Sequence, residues 1–60
     1  HTPEALARLV ESDFALGLVD EARKTAAVLG ANYARDRWYN YTLALLAKEQ
    51  QRRGRVTASK

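Results

Sequence analysis

The apolar residues of this chain fall into three stretches, each with the spacing of an amphipathic helix. The stripe of the first stretch is made by Leu6, Leu9, Val10 and Phe14. Residues three and four apart share one face of a helix, so this stripe predicts a helix. Thr2 suits its N-cap and Pro3 its first position, where a missing N–H costs nothing. We therefore predict that the first helix begins at Pro3.

Asp13 interrupts this stripe between Val10 and Phe14. A lone buried carboxylate is costly because it loses its hydration. We therefore expect Asp13 to lie at the edge of the stripe and to reach solvent. The alternative is a specific partner in the protein interior.

The second stretch follows Gly17, which can take the left-handed conformation that ends a helix. Because the turn is short, the next helix should return antiparallel to the first. It is predicted over residues 19–29 and should end within residues 30–33. One of its faces is made by Ala22, Ala26, Leu29 and Tyr33. The two alanines on this face should let a neighbouring helix approach closely.

The third stretch is the longest and is predicted as a helix over residues 37–54, with Asp36 as its N-cap and Gly54 at its end. Its apolar stripe is made by Trp38, Tyr41, Leu45 and Leu46, with Tyr39, Leu43 and Ala47 on the flanks. Residues 48–53 are all polar, and Glu49 is spaced to pair with Arg52 and Arg53. Residues 55–60 are predicted to be a disordered basic tail.

The fold class predicted from these stretches is all-α: an antiparallel helical hairpin over residues 1–36, followed by a third, longer C-terminal helix. A helix, a glycine turn and a second helix in about 34 residues have the size of one tetratricopeptide repeat. The match to that repeat departs at three positions. Val10 stands at the usual glycine, Asp13 near the usual tyrosine, and Ala34 where a closing proline is expected.

Length and composition limit what the chain can be. Sixty residues form at most one small domain, and an isolated fold of this size would be marginal. The chain has no cysteine, so neither a disulfide nor a thiolate metal site can support it. No apolar run approaches the ~20 residues of a membrane span, and the first residues do not form a signal peptide. We expect a soluble cytosolic piece or a fragment without its targeting sequence.

The sequence offers no catalytic constellation. His1 is the only histidine, Ser12 and Ser59 lie far apart, and no paired carboxylates have an obvious cleft. A single terminal histidine with scattered carboxylates does not form a metal site, and the glycines lack phosphate-loop spacing. We therefore expect no enzyme activity, no cofactor and no metal.

Two features could bind a partner. The first is an aromatic cluster, whose members are either interface residues or core between repeats: Tyr33, Trp38, Tyr39 and Tyr41. The second is the basic run over residues 48–55, which would be a solvated helix end, a site for an acidic protein or anionic membrane, or a nucleic-acid site. Our candidate protein-binding residues are Tyr39 and Leu43 as apolar anchors, with Arg52 and Arg53 speeding encounter.

A longer ordered string within the chain resembles a known family. Glu21-Ala22, Ala26-Ala27-Val28-Leu29-Gly30, Asn32-Tyr33 and Trp38-Tyr39 are similar to the last helical repeat of the BamD (YfiO) outer-membrane protein assembly lipoproteins. The resemblance covers residues 3–46. Ala34 stands where that family usually has a proline after the tyrosine, which leaves the shape of the connector open.

The resemblance implies a non-enzymatic scaffold for protein–protein interaction in the assembly of β-barrel outer-membrane proteins. Its partners would be the periplasmic domains of the barrel insertase and accessory lipoproteins, with no small molecule. It would act on the periplasmic side of the outer membrane, held by a lipid anchor that this sequence does not contain. The alternative function is a small basic helical DNA-binding domain, whose affinity would fall steeply with salt.

Overall fold

A computed structural model describes residues 1–58, and it describes side chains for residues 1–53. The described chain consists of three helices: α1 (Pro3–Ala15), α2 (Val19–Asn32) and α3 (Arg37–Ala58). No strand occurs within residues 1–58. The predicted all-α class is therefore confirmed.

The two ends of α1 are fixed by local chemistry. The Thr2 hydroxyl accepts a hydrogen bond from the Ala5 amide at 3.1 Å, which confirms the N-cap predicted before Pro3. At the other end Gly17 takes a left-handed φ of 79°. The amide of Gly17 donates to the Phe14 carbonyl at 3.0 Å and the amide of Leu18 to the Asp13 carbonyl at 2.8 Å. This pair of bonds is a Schellman motif, and it turns the chain sharply into α2.

The end of α2 falls inside the predicted window, but Gly30 does not cause it. The helix ends at Asn32, whose side-chain amide donates to the Val28 carbonyl at 2.9 Å. Gly17 is the only residue with a left-handed φ in the part of the chain that the structure describes. Gly30 therefore lies within regular helix, and its small size has another use, described below.

The helix α3 begins as predicted and ends later than predicted. The Asp36 carboxylate accepts from the Trp38 amide at 2.7 Å and caps a helix that starts at Arg37. The end predicted at Gly54 is wrong, since α3 continues to Ala58. A glycine inside a helix costs only about 1 kcal/mol relative to alanine, and no proline follows it to stop the helix. Residues 59 and 60 of the predicted tail lie outside the described residues.

The core lies where α3 packs across the α1–α2 hairpin. Val10, Ala22 and Ala26 form its centre, and Phe14, Leu45 and Leu46 pack against them. Ala22 is fully buried, and Ala26 is nearly so. Because a methyl group occupies little space, these two positions let the neighbouring helices come close, as their sequence spacing predicted.

Asp13 was expected to reach solvent, but it is buried, with only 8% of the residue exposed. The turn after α1 folds back over this position through the bond from the Leu18 amide to the Asp13 carbonyl. Among the described residues, no fully buried side-chain oxygen or nitrogen lacks a hydrogen-bond partner. Asp13 is therefore almost wholly covered, which the interruption of the stripe did not indicate.

Thr42 occupies the middle of the inner face of α3 and is fully buried. Its hydroxyl donates to the Trp38 carbonyl one turn earlier, at 2.9 Å. With its polar atom satisfied inside the helix, the side chain packs like a valine. A threonine thus lies at the centre of a face that the sequence pattern assigned to its aromatic and leucine neighbours.

Candidate protein-binding surface

The helix α3 has two flanks, one on each side of buried Thr42. Tyr39 marks the flank that faces α2, because its ring lies against Gly30. Tyr41 marks the flank that faces α1, because its hydroxyl reaches Glu11. We call these the α2 flank and the α1 flank. The predicted anchors Tyr39 and Leu43 belong to the α2 flank, since residues four apart share a helix face.

Tyr39 is half-buried and packs on the backbone of α2. A Cβ atom at Gly30 would lie 2.8 Å from Cε1 and from Cζ of the Tyr39 ring. Beside this contact lies a surface hollow of 220 Å³, lined by Arg23, Ala26, Ala27, Tyr39 and Leu46. Much of the Tyr39 ring therefore holds α3 to α2, and only its outer part is left for a partner.

Leu43 is the more open of the two predicted anchors. It lies one turn after Tyr39 and is 43% exposed. Among the described residues of α3 it is the only large aliphatic side chain exposed to this degree. A partner that covered Leu43 would also meet the outer edge of Tyr39.

Arg52 and Arg53 lie on the solvated part of α3, and both pair with Glu49. The distances from Glu49 Oε2 are 2.8 Å to Arg52 Nη2 and 3.3 Å to Arg53 Nε, which confirms the predicted pairing. The hydrogen bond from Arg52 is the main cause of a lowered pKa at Glu49. At 1.5 Å of rise per residue, Arg53 lies about 21 Å along the helix from Tyr39. The four predicted residues thus fall into two separate groups on α3, with Tyr39 and Leu43 in one and Arg52 and Arg53 in the other.

The α1 flank contains a cluster that the sequence did not predict, formed by Arg8, Glu11, Trp38 and Tyr41. The Tyr41 hydroxyl donates to Glu11 Oε2 at 2.8 Å, and Arg8 Nη1 donates to Glu11 Oε1 at 3.1 Å. The Arg8 guanidinium carbon lies 5.0 Å from the centroid of the Trp38 ring and 5.6 Å from that of Tyr41. The two rings meet edge to face, with centroids 5.4 Å apart. We call these four residues the α1–α3 cluster.

Hydrogen bonding changes the proton affinities within this cluster. The bond from Tyr41 is the main cause of a lowered pKa at Glu11, and the bond from Arg8 lowers it further. The same carboxylate raises the pKa of Tyr41 and of Arg8, because each donates a hydrogen bond to it. The cluster is therefore most stable with Glu11 ionised, Tyr41 neutral and Arg8 charged.

Sequence reasoning found part of this cluster. The spacing of Trp38 and Tyr41 indicated a shared stripe on the third helix. Arg8 also pairs with Glu4 on its own helix, at 4.0 Å. No local pattern links Glu11 to Tyr41, because the two residues are thirty positions apart. Only the angle at which α3 crosses α1 brings them together.

Beside the cluster, Arg37, Trp38 and Tyr41 line a surface hollow of 380 Å³. Arg37 is exposed, and its guanidinium carbon lies 5.9 Å from the centroid of the Trp38 ring. The part of the chain described by the structure contains no group of three or more His, Cys, Asp or Glu residues arranged to hold a metal ion. Nor do residues 1–58 include a helix long and apolar enough to cross a membrane.

Comparison with known proteins gives two relatives. The chain is 52% identical over 50 residues to outer membrane protein assembly factor BamD of Rickettsia prowazekii (strain Madrid E), a match that covers 83% of this chain and 20% of the relative. It is 59% identical over 39 residues to outer membrane protein assembly factor BamD of Caulobacter vibrioides (strain ATCC 19089 / CIP 103742 / CB 15), covering 65% of this chain and 13% of the relative. No protein-family model and no solved structure matches the chain.

The chain spans a fifth or less of the length of these relatives. Within that span the identity is high in both matches, and they agree on one name. The resemblance seen in the sequence is therefore confirmed, and the chain belongs to the BamD family as a segment related to part of its longer members.

Proposed function

We propose that this chain is a protein-binding segment of an outer membrane protein assembly factor and acts as a scaffold without enzyme activity. The observation that carries the proposal is its identity of 52% and 59% to two proteins that both bear that name. The two matches do not favour the alternative of a DNA-binding domain. The pairing of Arg52 and Arg53 with Glu49 also reduces the local charge on which that alternative depends.

Within such a factor, the hairpin of α1 and α2 would be one tetratricopeptide-like repeat, at the C-terminal end of a series. The helix α3 would be an additional helix whose N-terminal part packs across this repeat. The relatives are several times longer than the chain, so this placement supposes further helices outside it. Stacked repeats usually need about three units for stability, which fits a segment that works inside a longer protein.

The partners in this proposal are the periplasmic domains of the barrel insertase and accessory lipoproteins, met on the periplasmic side of the outer membrane. The docking site is the α2 flank. Leu43 supports this role because it exposes apolar surface beside the outer edge of Tyr39. Arg52 and Arg53 would act at the rim, where exposed charges change the rate of encounter more than the final affinity.

The test measures binding of the chain to immobilised insertase periplasmic domains by surface plasmon resonance. Leu43→Ala should raise the off-rate by roughly tenfold, as for a moderate interface anchor. Leu16→Ala is the matched control, because it makes the same truncation at an exposed leucine, the C-cap residue of α1. Arg52→Ala should lower the on-rate, and the difference should shrink as salt rises.

Circular dichroism of each variant separates lost binding from lost folding. If Leu43→Ala binds like the unchanged chain, or if Leu16→Ala weakens binding equally, the α2 flank is not the docking site. A parallel titration with duplex DNA tests the alternative. Tight, steeply salt-dependent binding to DNA without binding to the insertase domains would contradict the scaffold proposal.

A further inference from the structure

We propose that the hollow lined by Arg37, Trp38 and Tyr41 is a second docking site, which takes an acidic segment of a partner protein. A large apolar side chain of that segment would rest on the two rings, and a neighbouring carboxylate would pair with Arg37. This site lies on the α1 flank, so it is separate from the surface around Leu43. It goes beyond the function proposed above and does not depend on the identity of the insertase.

The apolar part of the site is already held in place. The Tyr41 ring is fixed by its hydroxyl bond to Glu11 at 2.8 Å. The Trp38 ring meets Tyr41 at an interplanar angle of 73° and is contacted by the Arg8 guanidinium. Two rings at this angle form adjacent walls of the 380 Å³ hollow. A partner would bind a surface that needs little ordering, which favours affinity because fewer rotamers are lost.

The charge of the site comes from Arg37. It forms no ion pair with any residue in the described part of the chain, and no acidic residue lies in the first turn of α3. The two nearby carboxylates are already engaged. Glu11 accepts from Tyr41 and Arg8, and Asp36 accepts from the Trp38 amide. The guanidinium of Arg37 therefore remains available for a carboxylate from outside the chain, which it can bind through two parallel hydrogen bonds.

The combination of one available guanidinium with an apolar hollow favours an acidic peptide over a nucleic acid. A nucleic-acid strand carries a phosphate at every step and is usually held by a row of cations. Arg8, the other cation that contacts both rings, already pairs with Glu11 at 3.1 Å and with Glu4 at 4.0 Å. A segment in which carboxylates alternate with large apolar side chains matches both features.

Trp38 gives a direct readout, because it is the only tryptophan in the chain and it lines the hollow. The full chain would be titrated with the capped peptide Glu-Phe-Glu-Leu-Glu while tryptophan fluorescence is followed. A saturable change is expected. Replacing each glutamate of the peptide by glutamine should weaken binding by roughly fivefold or more, and replacing its phenylalanine and leucine by serine should abolish it.

Two protein variants locate the charge contact. Arg37→Gln should weaken binding of the acidic peptide by roughly fivefold and should leave the weaker binding of the glutamine peptide unchanged. Arg35→Gln is the matched control, since Arg35 is also exposed, lies two residues away and makes no ion pair within the described residues. It should bind like the unchanged chain.

Several results would overturn the proposal. The first is equal binding of the glutamate and glutamine peptides, and the second is an equal loss in the Arg35 and Arg37 variants. The third is preferential binding of a single-stranded oligonucleotide. Leu43→Ala should not affect the peptide titration, and a loss there would place the peptide on the α2 flank. Failure of the peptide to bind would leave the insertase experiment unaffected, so the two proposals fail separately.

Discussion

The aromatic ring of Tyr39 rests on the backbone of Gly30, with no room between them for a methyl group. Gly30 lies in the last turn of α2, two residues before the helix ends, and glycine is the second-worst helix former. The close approach of α3 gives a reason for a glycine at this position. A partner that bound strongly to Tyr39 would therefore also disturb the packing between α2 and α3.

Gly30→Ala is expected to destabilise the chain, although alanine is the better helix former. The gain in helix propensity is about 1 kcal/mol, whereas overpacking costs about 1–3 kcal/mol. In a Tyr39→Ala background the clash is absent, so the same substitution should stabilise the chain by up to about 1 kcal/mol. Urea unfolding of the unchanged chain, the two single variants and the double variant measures the coupling between positions 30 and 39. If Gly30→Ala raises the free energy of unfolding in both backgrounds, the Tyr39 ring moves aside without cost.

Ala22→Leu should lower stability by roughly 1–3 kcal/mol, because the added atoms have no space in the core formed with Val10 and Ala26. Ala31→Leu is the control, since Ala31 lies on the same helix and is exposed. Thermal melting followed by circular dichroism measures both. An unchanged midpoint for Ala22→Leu would mean that α1 and α2 do not pack through this face.

Acidification should weaken the contact between α1 and α3. The pKa of Glu11 is lowered from its ordinary value of 4.5, so its contribution is present above that pH and is lost as pH falls through the lower folded pKa. Glu49 follows the same direction on α3. Tyr41 has the opposite dependence, because its raised pKa makes its contribution fade only as pH rises above its ordinary value of 10.0.

An NMR titration of the Glu11 carboxyl carbon measures this effect. Tyr41→Phe removes the hydroxyl that is the main cause of the shift, so the pKa of Glu11 should move back toward 4.5. Tyr33→Phe is the control, since the Tyr33 hydroxyl donates to the His1 carbonyl at 3.2 Å, and Glu11 plays no part in that bond. An unchanged pKa in the Tyr41 variant would show that the hydrogen bond to Glu11 does not persist in solution.

The isolated chain should be weakly stable or should associate. Four large aliphatic residues are about half-exposed or more along the hairpin: Leu9, Leu16, Leu18 and Val28. Leu9 lies in α1 and Leu16 is its C-cap residue, and both are exposed, so replacing both with glutamine should reduce association without loss of helix content. Sedimentation velocity over a range of concentrations measures this. A monomer with a concentration-independent, two-state melt far above ambient temperature would contradict the expectation.

The helix starts and the hairpin turn could be predicted because their causes are local. Thr2, Gly17 and Asp36 each act on atoms within five positions, and the structure shows each acting as its residue type indicates. The C-terminal boundary of α3 was missed for a related reason. A glycine indicates where a helix is able to end, and without a capping turn or a following proline the helix continues.

The residues that are buried on each helix were harder to predict than the helices themselves. Asp13 and Thr42 are both buried, although their polar groups placed them outside the apolar stripes. For Thr42 the missing information was a bond to its own helix, and for Asp13 it was the turn that folds over it. The α1–α3 cluster depended on the crossing angle of two helices, which no periodicity in either helix encodes.

The pairing of Tyr41 with Glu11 has a consequence for how α3 opens. The residues that pack α3 into the core or bond it to the hairpin include Tyr39, Tyr41, Thr42, Leu45 and Leu46. One turn later, Glu49 and Gln50 line a hollow together with Phe14 and Arg23 of the hairpin. From Lys48 to Arg53 the helix has only polar side chains, and its described ion pairs lie within its own turns. Amide hydrogen exchange should thus be slow in the N-terminal part of α3 and fast in the exposed stretch after Gln50. The helix is thus anchored to the hairpin through its N-terminal part, and a partner that binds Leu43 contacts this anchored part.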